Sequence, residues 1–385
     1  MRCLAMLSLL VLFAGSAGAI SITDYEVPVS TATSAFGGFQ YNYASDVNGI
    51  KTADNGNISA SLNQFYSSLP LGYRLGFSGI LNRDGLVDPG QDEWTYNSSA
   101  FAQGDKYLSE ESNVFGLGRL DGTAGSDYDR PGFTLTLGMG YGRFINATPL
   151  ARALRAQEEL LKEGILLSQI PDNVMLDVAK MMAPEVIAKY QQEFDQWERH
   201  YYGDLEKEFQ RSGKLRDNEL GGVGALVIRD VLSEFISDRY YGYELSGGVG
   251  YDLQTPYKHV DRTAFAEANA NFAYPISLRS QFVEFLRVKS PLTDNKFGKE
   301  VHLSFTPSYS YELSNTLDFV TTYILTGDKL AHSDAGWMFN HQVKVTLSYY
   351  IVNRVTFSNA LTLSKPDGAK KTATAFSSGL TYRFR

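Results

Sequence analysis

The residues best suited to chemistry are two clusters of acids and one histidine-containing triplet. Asp84, Asp88, Asp92 and Glu93 make the first cluster, and Asp121, Asp127 and Asp129 the second. Hard oxygen donors at such intervals could gather around Ca²⁺, but neither cluster carries a full calcium-loop signature. Solvated acids in external loops explain them without a ligand, so no metal is assigned. His332-Ser333-Asp334 holds the residue types of a hydrolase triad. Working triads draw their members from separate segments, and neighbours in sequence rarely converge in that way. His200, His259, His302 and His341 show no metal-ligand spacing. Gly221-Gly222-Val223-Gly224 lacks the preceding strand of a phosphate loop and reads as a hinge or helix start. Neither an enzyme nor a cofactor is expected.

A second set of residues acquires meaning from its position. Arg74, Glu244, Asp252, Glu267, Arg279 and Arg287 lie in or beside stretches where apolar and polar residues alternate, as do His302, Glu312, Asp318, Lys344 and Arg383. What they can do depends on which way those stretches face.

The stretches recur along most of the chain. Phe39, Tyr41 and Tyr43 oppose Gln40 and Asn42; Tyr73, Leu75 and Phe77 oppose Arg74, Gly76 and Ser78. Phe133, Leu135, Leu137, Met139 and Tyr141 alternate with Thr134, Thr136 and glycines, and Tyr243, Leu245, Val249 and Tyr251 with Glu244, Ser246 and Gly250. A period of two is the signature of a strand with one apolar face. Trp94–Ala102 and Lys106–Leu120 are less regular, reading as two strands or one irregular excursion. Ala264–Val288 reads as a hairpin turning at Tyr274-Pro275, and Asn359 interrupts an otherwise apolar face. A dozen or more such strands, with no complementary set to cover their apolar faces, point to lipid as the covering solvent. Only a closed barrel satisfies every backbone group there.

Between Thr148 and about Asp238 the period changes to that of helices. Thr148-Pro149 reads as a polar cap followed by a first-turn proline. Val186, Tyr190, Phe194, Trp197, Tyr201, Leu205 and Phe209, at steps of three and four, predict one long amphipathic helix and the core of a small bundle.

Composition agrees with this division. The 385 residues include 24 Tyr, 23 Phe and 35 Gly, yet the mean hydropathy is −0.21 and 20% are charged. Aromatics on a lipid-facing wall with a polar lumen reconcile those values. A net charge of −8 gives no reason to expect a nucleic-acid partner. Arg2, the apolar run Leu4–Phe13 and Ala17-Gly18-Ala19 read as a secretory signal peptide over residues 1–19. Cys3, the single cysteine, falls inside it, so no disulfide is expected in the exported chain.

With export signal, alternating strands and terminus taken together, the chain resembles bacterial outer-membrane β-barrel proteins. Their last strand ends in an aromatic residue read by the assembly machinery, and Phe376, Leu380, Tyr382 and Phe384 fit that pattern, with Arg385 as one extra residue. The resemblance implies an integral outer-membrane barrel of about 14 strands, with about 12 as the fallback. It implies lipid and the assembly machinery as partners. It also places the last strand's end in the periplasm. By alternation, Ser364–Lys371, Thr326–Trp337, Arg287–Lys299 and Leu253–Arg262 become external loops, all long. Tyr350–Asn353, Leu313–Thr316 and Tyr274–Ser277 become short periplasmic turns.

The expected organisation is a signal peptide (1–19), an N-terminal periplasmic segment (20–33), a first barrel part (34–146), a helical periplasmic insertion (147–238) and a second barrel part (239–385). The charged alternating residues named above then face the lumen, because lipid would exclude them. The expected function is a channel or conduit for polar solutes or an exported polymer, with the helical insertion as plug or docking domain. The alternative is a non-conducting protein that anchors an assembly, its insertion binding a periplasmic protein or peptidoglycan.

Overall fold

The computed structural model describes residues 24–384 apart from 26–28, 46–48, 89–91, 235, 278, 294–295, 332–335 and 353. The expected signal peptide lies outside the described residues. Six strands come first: β1 (Val29–Ser45), β2 (Lys51–Ser68), β3 (Leu71–Asp84), β4 (Trp94–Tyr107), β5 (Val114–Gly125) and β6 (Gly132–Asn146). Helices α1 (Thr148–Lys162), α2 (Asp172–Met181), α3 (Pro184–Glu193), α4 (Trp197–Arg211) and α5 (Gly221–Ser233) follow. Eight more strands complete the chain: β7 (Tyr240–Gln254), β8 (Ala264–Ser277), β9 (Ser280–Pro291), β10 (Val301–Ser314), β11 (Leu317–Lys329), β12 (Trp337–Val352), β13 (Val355–Lys365) and β14 (Ala373–Arg383). Each strand pairs antiparallel with its sequence neighbours, and β14 pairs with β1, so the sheet closes into one barrel. The two halves that the helices separate in sequence meet directly, β6 against β7 from Phe133–Gln254 to Asn146–Tyr240.

Alternation decides which face of each strand meets which solvent. Leu75, Phe77, Leu137, Met139, Leu245 and Val249 remain exposed on the outer face, while Arg74, Thr136 and Glu244 point to the other side. Leaving such apolar area in water would forfeit roughly 25 cal/mol per Å². A hydrocarbon surround removes that penalty. Asn359, anomalous in the sequence, is explained by its neighbour across the β13–β14 ladder. Ser378 donates to its Oδ1 at 2.6 Å, so two polar side chains on the outer face satisfy one another.

The uncertain stretch around residue 100 resolves into two strands, with β4 running on to Tyr107 and β5 beginning at Val114, because glycines such as Gly104, Gly116 and Gly118 blur the pattern. The β8–β9 turn falls after Ser277 rather than at Tyr274-Pro275. Pro275 is tolerated near the strand end, where Gln281 stands opposite. At one end of the barrel the connections are short: Ser314 to Leu317, Val352 to Val355, Ser277 to Ser280. The helical segment leaves and re-enters the barrel at this same turn end.

Two glycines make that departure possible. Gly142 and Gly242 have φ of +116° and +121°, a region that side chains disfavour. A Cβ on Gly142 would lie 2.0 Å from the Tyr243 carbonyl oxygen, and one on Gly242 2.1 Å from that of Arg143. Beyond these bends β6 reaches β1, which is not its neighbour in the sheet. Asn146 Nδ2 donates to the Thr31 carbonyl at 2.9 Å, and the Asn146 amide donates to Ser30 Oγ at 3.0 Å.

The helices have a core of their own, including Leu150, Leu154 and Leu160 of α1, Val174 and Met175 of α2, and Tyr201, Leu205 and Phe209 of α4. The single long helix expected across Val186–Phe209 does not form. Phe194 adopts extended angles (φ −130°, ψ 130°), ending α3 three residues before α4 begins. Tyr190 and Trp197 pack at the core's edge, whereas Val186 stays outside it and Phe194 is 36% exposed. Thr148 is not the helix cap either. Ala147 holds that position, and Thr148 is the first helical residue, its backbone N–H donating to Asn146 Oδ1 at 2.9 Å. The glycine cluster at Gly221 begins α5.

Candidate functional site: the lumen and its closure

The inner wall is built from ion pairs that lie across strands. Arg74 on β3 bonds Asp105 on β4 at 3.2 Å and Glu244 on β7 at 2.6 Å, linking walls that are not neighbours in the sheet. Glu267 accepts from Arg287 at 2.5 Å and from Asn269 at 2.8 Å. Asp252 accepts from Thr134 at 3.0 Å, and His302 Nδ1 lies 2.7 Å from Asp328. Lys344 stands opposite Thr322 and Thr362 on the same inner register. Asp121, expected in an external loop, belongs to β5 and is bound by Arg119 at 2.7 Å.

Two cations cover aromatic rings on this wall, Arg119 over Phe101 at 4.5 Å and Lys289 over Phe265 at 3.4 Å. Phe101 and Phe265 sit where a Cβ on Gly76 or Gly250 would stand 2.2 and 2.1 Å from ring carbons. Glycine on one strand thus gives the ring of its neighbour a flat seat. Of the residues expected to face the lumen, Arg279 does not. It lies in the β8–β9 turn, 3.6 Å from Glu158 of α1. The alternation ended before this residue, so its phase could not be carried into the turn.

At the turn end the helices and the linker after α5 engage the wall at several places around the ring. Glu312 on β10 is the centre of this arrangement. Its two carboxylate oxygens are bound by Arg155 of α1 and, at 2.6 Å, by Arg239 of the linker. The Glu312 side chain is 5% exposed and that of Arg239 0%. Arg155 also reaches Glu234 at 3.4 Å. Asp318 on β11 accepts from Ser237 of the linker at 2.7 Å and from Tyr350 on β12 at 2.6 Å. On β1, Thr31 donates to Glu185 of α3 at 2.9 Å. Contacts on β1, β10 and β11 thus tie the helices and linker to this end of the barrel.

The electrostatics of these contacts are those of charges removed from water. Burial pushes the carboxyls of Glu234 and Asp238 above their ordinary range, with Arg155 opposing the shift at Glu234 and Tyr240 and Arg152 opposing it at Asp238. Burial lowers the Arg152 guanidinium, countered by Asp238. Arg383, at the foot of β14, adds positive field at Asp238.

Above the linker the lumen holds a cavity of about 440 Å³ between β1 and β9, lined by Phe65, Phe101, Phe285, Asn63, Asn271 and the linker's Asp238, among others. Nearer the loop end, a hollow of about 520 Å³ is lined mainly by small residues such as Gly38, Ser59, Ser61 and Ser78. Among the described residues no group of three or more His, Cys, Asp or Glu side chains converges. His332-Ser333-Asp334 lies outside the described residues. The expected assembly-signal residues Phe376, Leu380, Tyr382 and Phe384 are all exposed on the outer face of β14 and just beyond it.

Sequence reasoning did not find Arg155, Arg239, Glu234 or Asp105. Asp105 fell in the irregular stretch. Arg155 did leave a signal, an arginine flanked by Ala153, Leu154 and Ala156 on a helix whose surroundings are apolar.

Neither a protein-family model nor a curated protein matches the sequence. Among solved structures, the chain is 10% identical to CdiB from Escherichia coli over 93% of its own length and 63% of that chain, with a TM-score of 0.39. It is 11% identical to Pseudomonas aeruginosa OccK2 (OpdF) in complex with glucuronate, over 92% of this chain and 97% of that one, with a TM-score of 0.36. It is 8% identical to the outer membrane channel DcaP of Acinetobacter baumannii, over 92% and 97%, with a TM-score of 0.35. Likenesses this distant say nothing of substrate. What the strand pairing itself establishes is a closed antiparallel barrel of 14 strands with an inserted helical segment, built as bacterial outer-membrane barrels are, apolar outside and polar within.

Proposed function

We propose that this protein is a gated passage for polar solutes through an outer membrane, with the helical segment as the gate at the periplasmic, turn-end mouth. The observation that carries the reading is Glu312, which binds Arg155 of the gate and Arg239 of its linker from inside the barrel wall. A barrel needs no such insertion to close. A segment held over the mouth by charges buried on the lumen side controls what leaves it.

The wall above the gate suits water and polar solutes. Its ion pairs carry both signs, so the passage imposes no strong ion selectivity. Fourteen strands enclose more room than the eight whose interior side chains fill completely. No step of the reading requires a chemical reaction.

Planar-bilayer conductance tests it, comparing the full chain with a variant joining Ala147 to Arg239 through a short Gly/Ser linker. Conductance only in the shortened variant supports the gate. Steady conductance in both makes the helices a docking element beside an open pore. Silence in both, with heat-modifiable gel mobility showing folded barrels, overturns the passage and favours a structural anchor.

A further inference from the structure

The cavity over the linker has a composition that a plain aqueous conduit does not need. Phe65, Phe101, Phe285 and Tyr240 contribute rings to it, and Phe285 is 49% exposed although its register points inward. Tyr240 is held edge-on to Phe65, ring centroids 5.6 Å apart. The hollow nearer the loops is lined mainly by small residues instead. Aromatic surface is therefore concentrated at the level of the gate.

From this arrangement we infer that the 440 Å³ cavity is a binding site for a neutral saccharide of a few rings. Its volume lies within the range of about 300–1,000 Å³ typical of small-molecule sites. Two observations select the ligand class. The charged lining is balanced, Arg74 and Arg119 against Glu244 and Asp238, and Arg74 is already bound by Asp105 and Glu244. A charged ligand would find no surplus of opposite charge. Asn63, Asn271 and Ser246 put amide and hydroxyl groups beside the rings. A purely apolar or aromatic ligand would strip water from these groups without replacing its hydrogen bonds. A sugar ring has what remains: a C–H face for Phe285, and hydroxyls around its edge for the amides.

The site also touches the gate. Asp238 and Tyr240 line the cavity, while Arg239 between them turns to Glu312. A bound saccharide rests on the linker whose next side chain holds the closure. This inference rests on the lumen being a passage reached from outside, but its test does not.

Calorimetry on the full-length, detergent-solubilised protein would use maltotriose, cellotriose and benzoate as probes. At least one trisaccharide should bind, with a Kd that changes less than twofold between low and high salt. Phe285→Ala should weaken binding at least tenfold, and Phe285→Trp should restore it to within about threefold. Phe285 is half exposed, so neither change threatens the fold, and gel mobility confirms it. No heat with either trisaccharide, or binding of benzoate alone, overturns the inference. Unchanged affinity in Phe285→Ala does so as well, since the sugar is then held elsewhere. Binding in a protein that never conducts leaves the site standing and removes only the passage.

Discussion

Two carboxylates in this molecule are each held by two cations, at opposite ends of the barrel. Asp54, near the loop end of β2, is bound by Lys51 at 2.9 Å and Arg83 at 2.9 Å, and accepts from Tyr41 at 2.8 Å. Glu312, near the turn end of β10, is bound by Arg155 and Arg239. Both carboxylate side chains are 5% exposed. Their surroundings differ. Lys51 and Arg83 are 52% and 31% exposed and come from the same and the adjacent strand, so Asp54 is covered by its partners and by little else. Arg155 and Arg239 are 9% and 0% exposed and come from a helix and a linker far along the chain. The rim cluster steadies strands that already pair. The turn-end triad joins parts far apart in sequence, and there the loss of Glu312 removes the carboxylate that two buried guanidiniums share.

Glu312→Ala should have the largest effect. Removing the carboxylate that the buried Arg155 and Arg239 share should cost about 3–5 kcal/mol of docking, the range for a broken buried pair. Limited proteolysis within α1–α5 should accelerate by orders of magnitude and a closed pore should open, while barrel gel mobility persists. Glu312→Gln keeps the shape and some hydrogen bonds, so protease sensitivity should fall between that of the wild type and of Glu312→Ala.

Acidity sharpens the contrast next. Glu234 and Asp238 have raised folded-state values, so the docked form binds protons more readily than the undocked form. Docking should strengthen as the pH falls from neutral toward their range and weaken as it rises through it. Mean closed time measured across that interval gives the sign. Lengthening on alkalinisation would mean that these carboxyls are stabilised as anions instead.

The smallest effect belongs to the rim. Asp54→Asn should leave gating and protease resistance unchanged and lower the unfolding temperature slightly. Raising salt from 0.1 M to 1 M, which shortens the Debye length from about 10 Å to about 3 Å, should erase even that difference. An opening of the pore in Asp54→Asn would show that the two ends are not independent.

The barrel was readable because its code is local and repeated. Phe133–Tyr141 or Tyr243–Tyr251 commits a strand's two faces to two solvents without reference to any other residue. The same phase assigned Arg74, Glu244, Glu312 and Asp318 to the inner side. Reading failed where the phase was interrupted. Glycines hid β4 and β5, and a turn carried Arg279 out of the lumen. In the helices an unbroken spacing from Val186 to Phe209 concealed a reversal, because steps of three and four survive a break of three residues.

By itself, then, the sequence determined the class of wall, the side of it that carries charge and the stretch that is helical, since each depends on periodicity within a few residues. The tertiary structure alone decided that Arg155 and Arg239 meet Glu312, that Arg74 bridges Asp105 to Glu244, and that aromatic rings collect above the linker. These contacts join residues 31 to 170 positions apart. No local pattern specifies such pairings. They arise when a closed ring of strands brings its inner faces within reach of one another, and when two glycine bends turn the chain across its mouth.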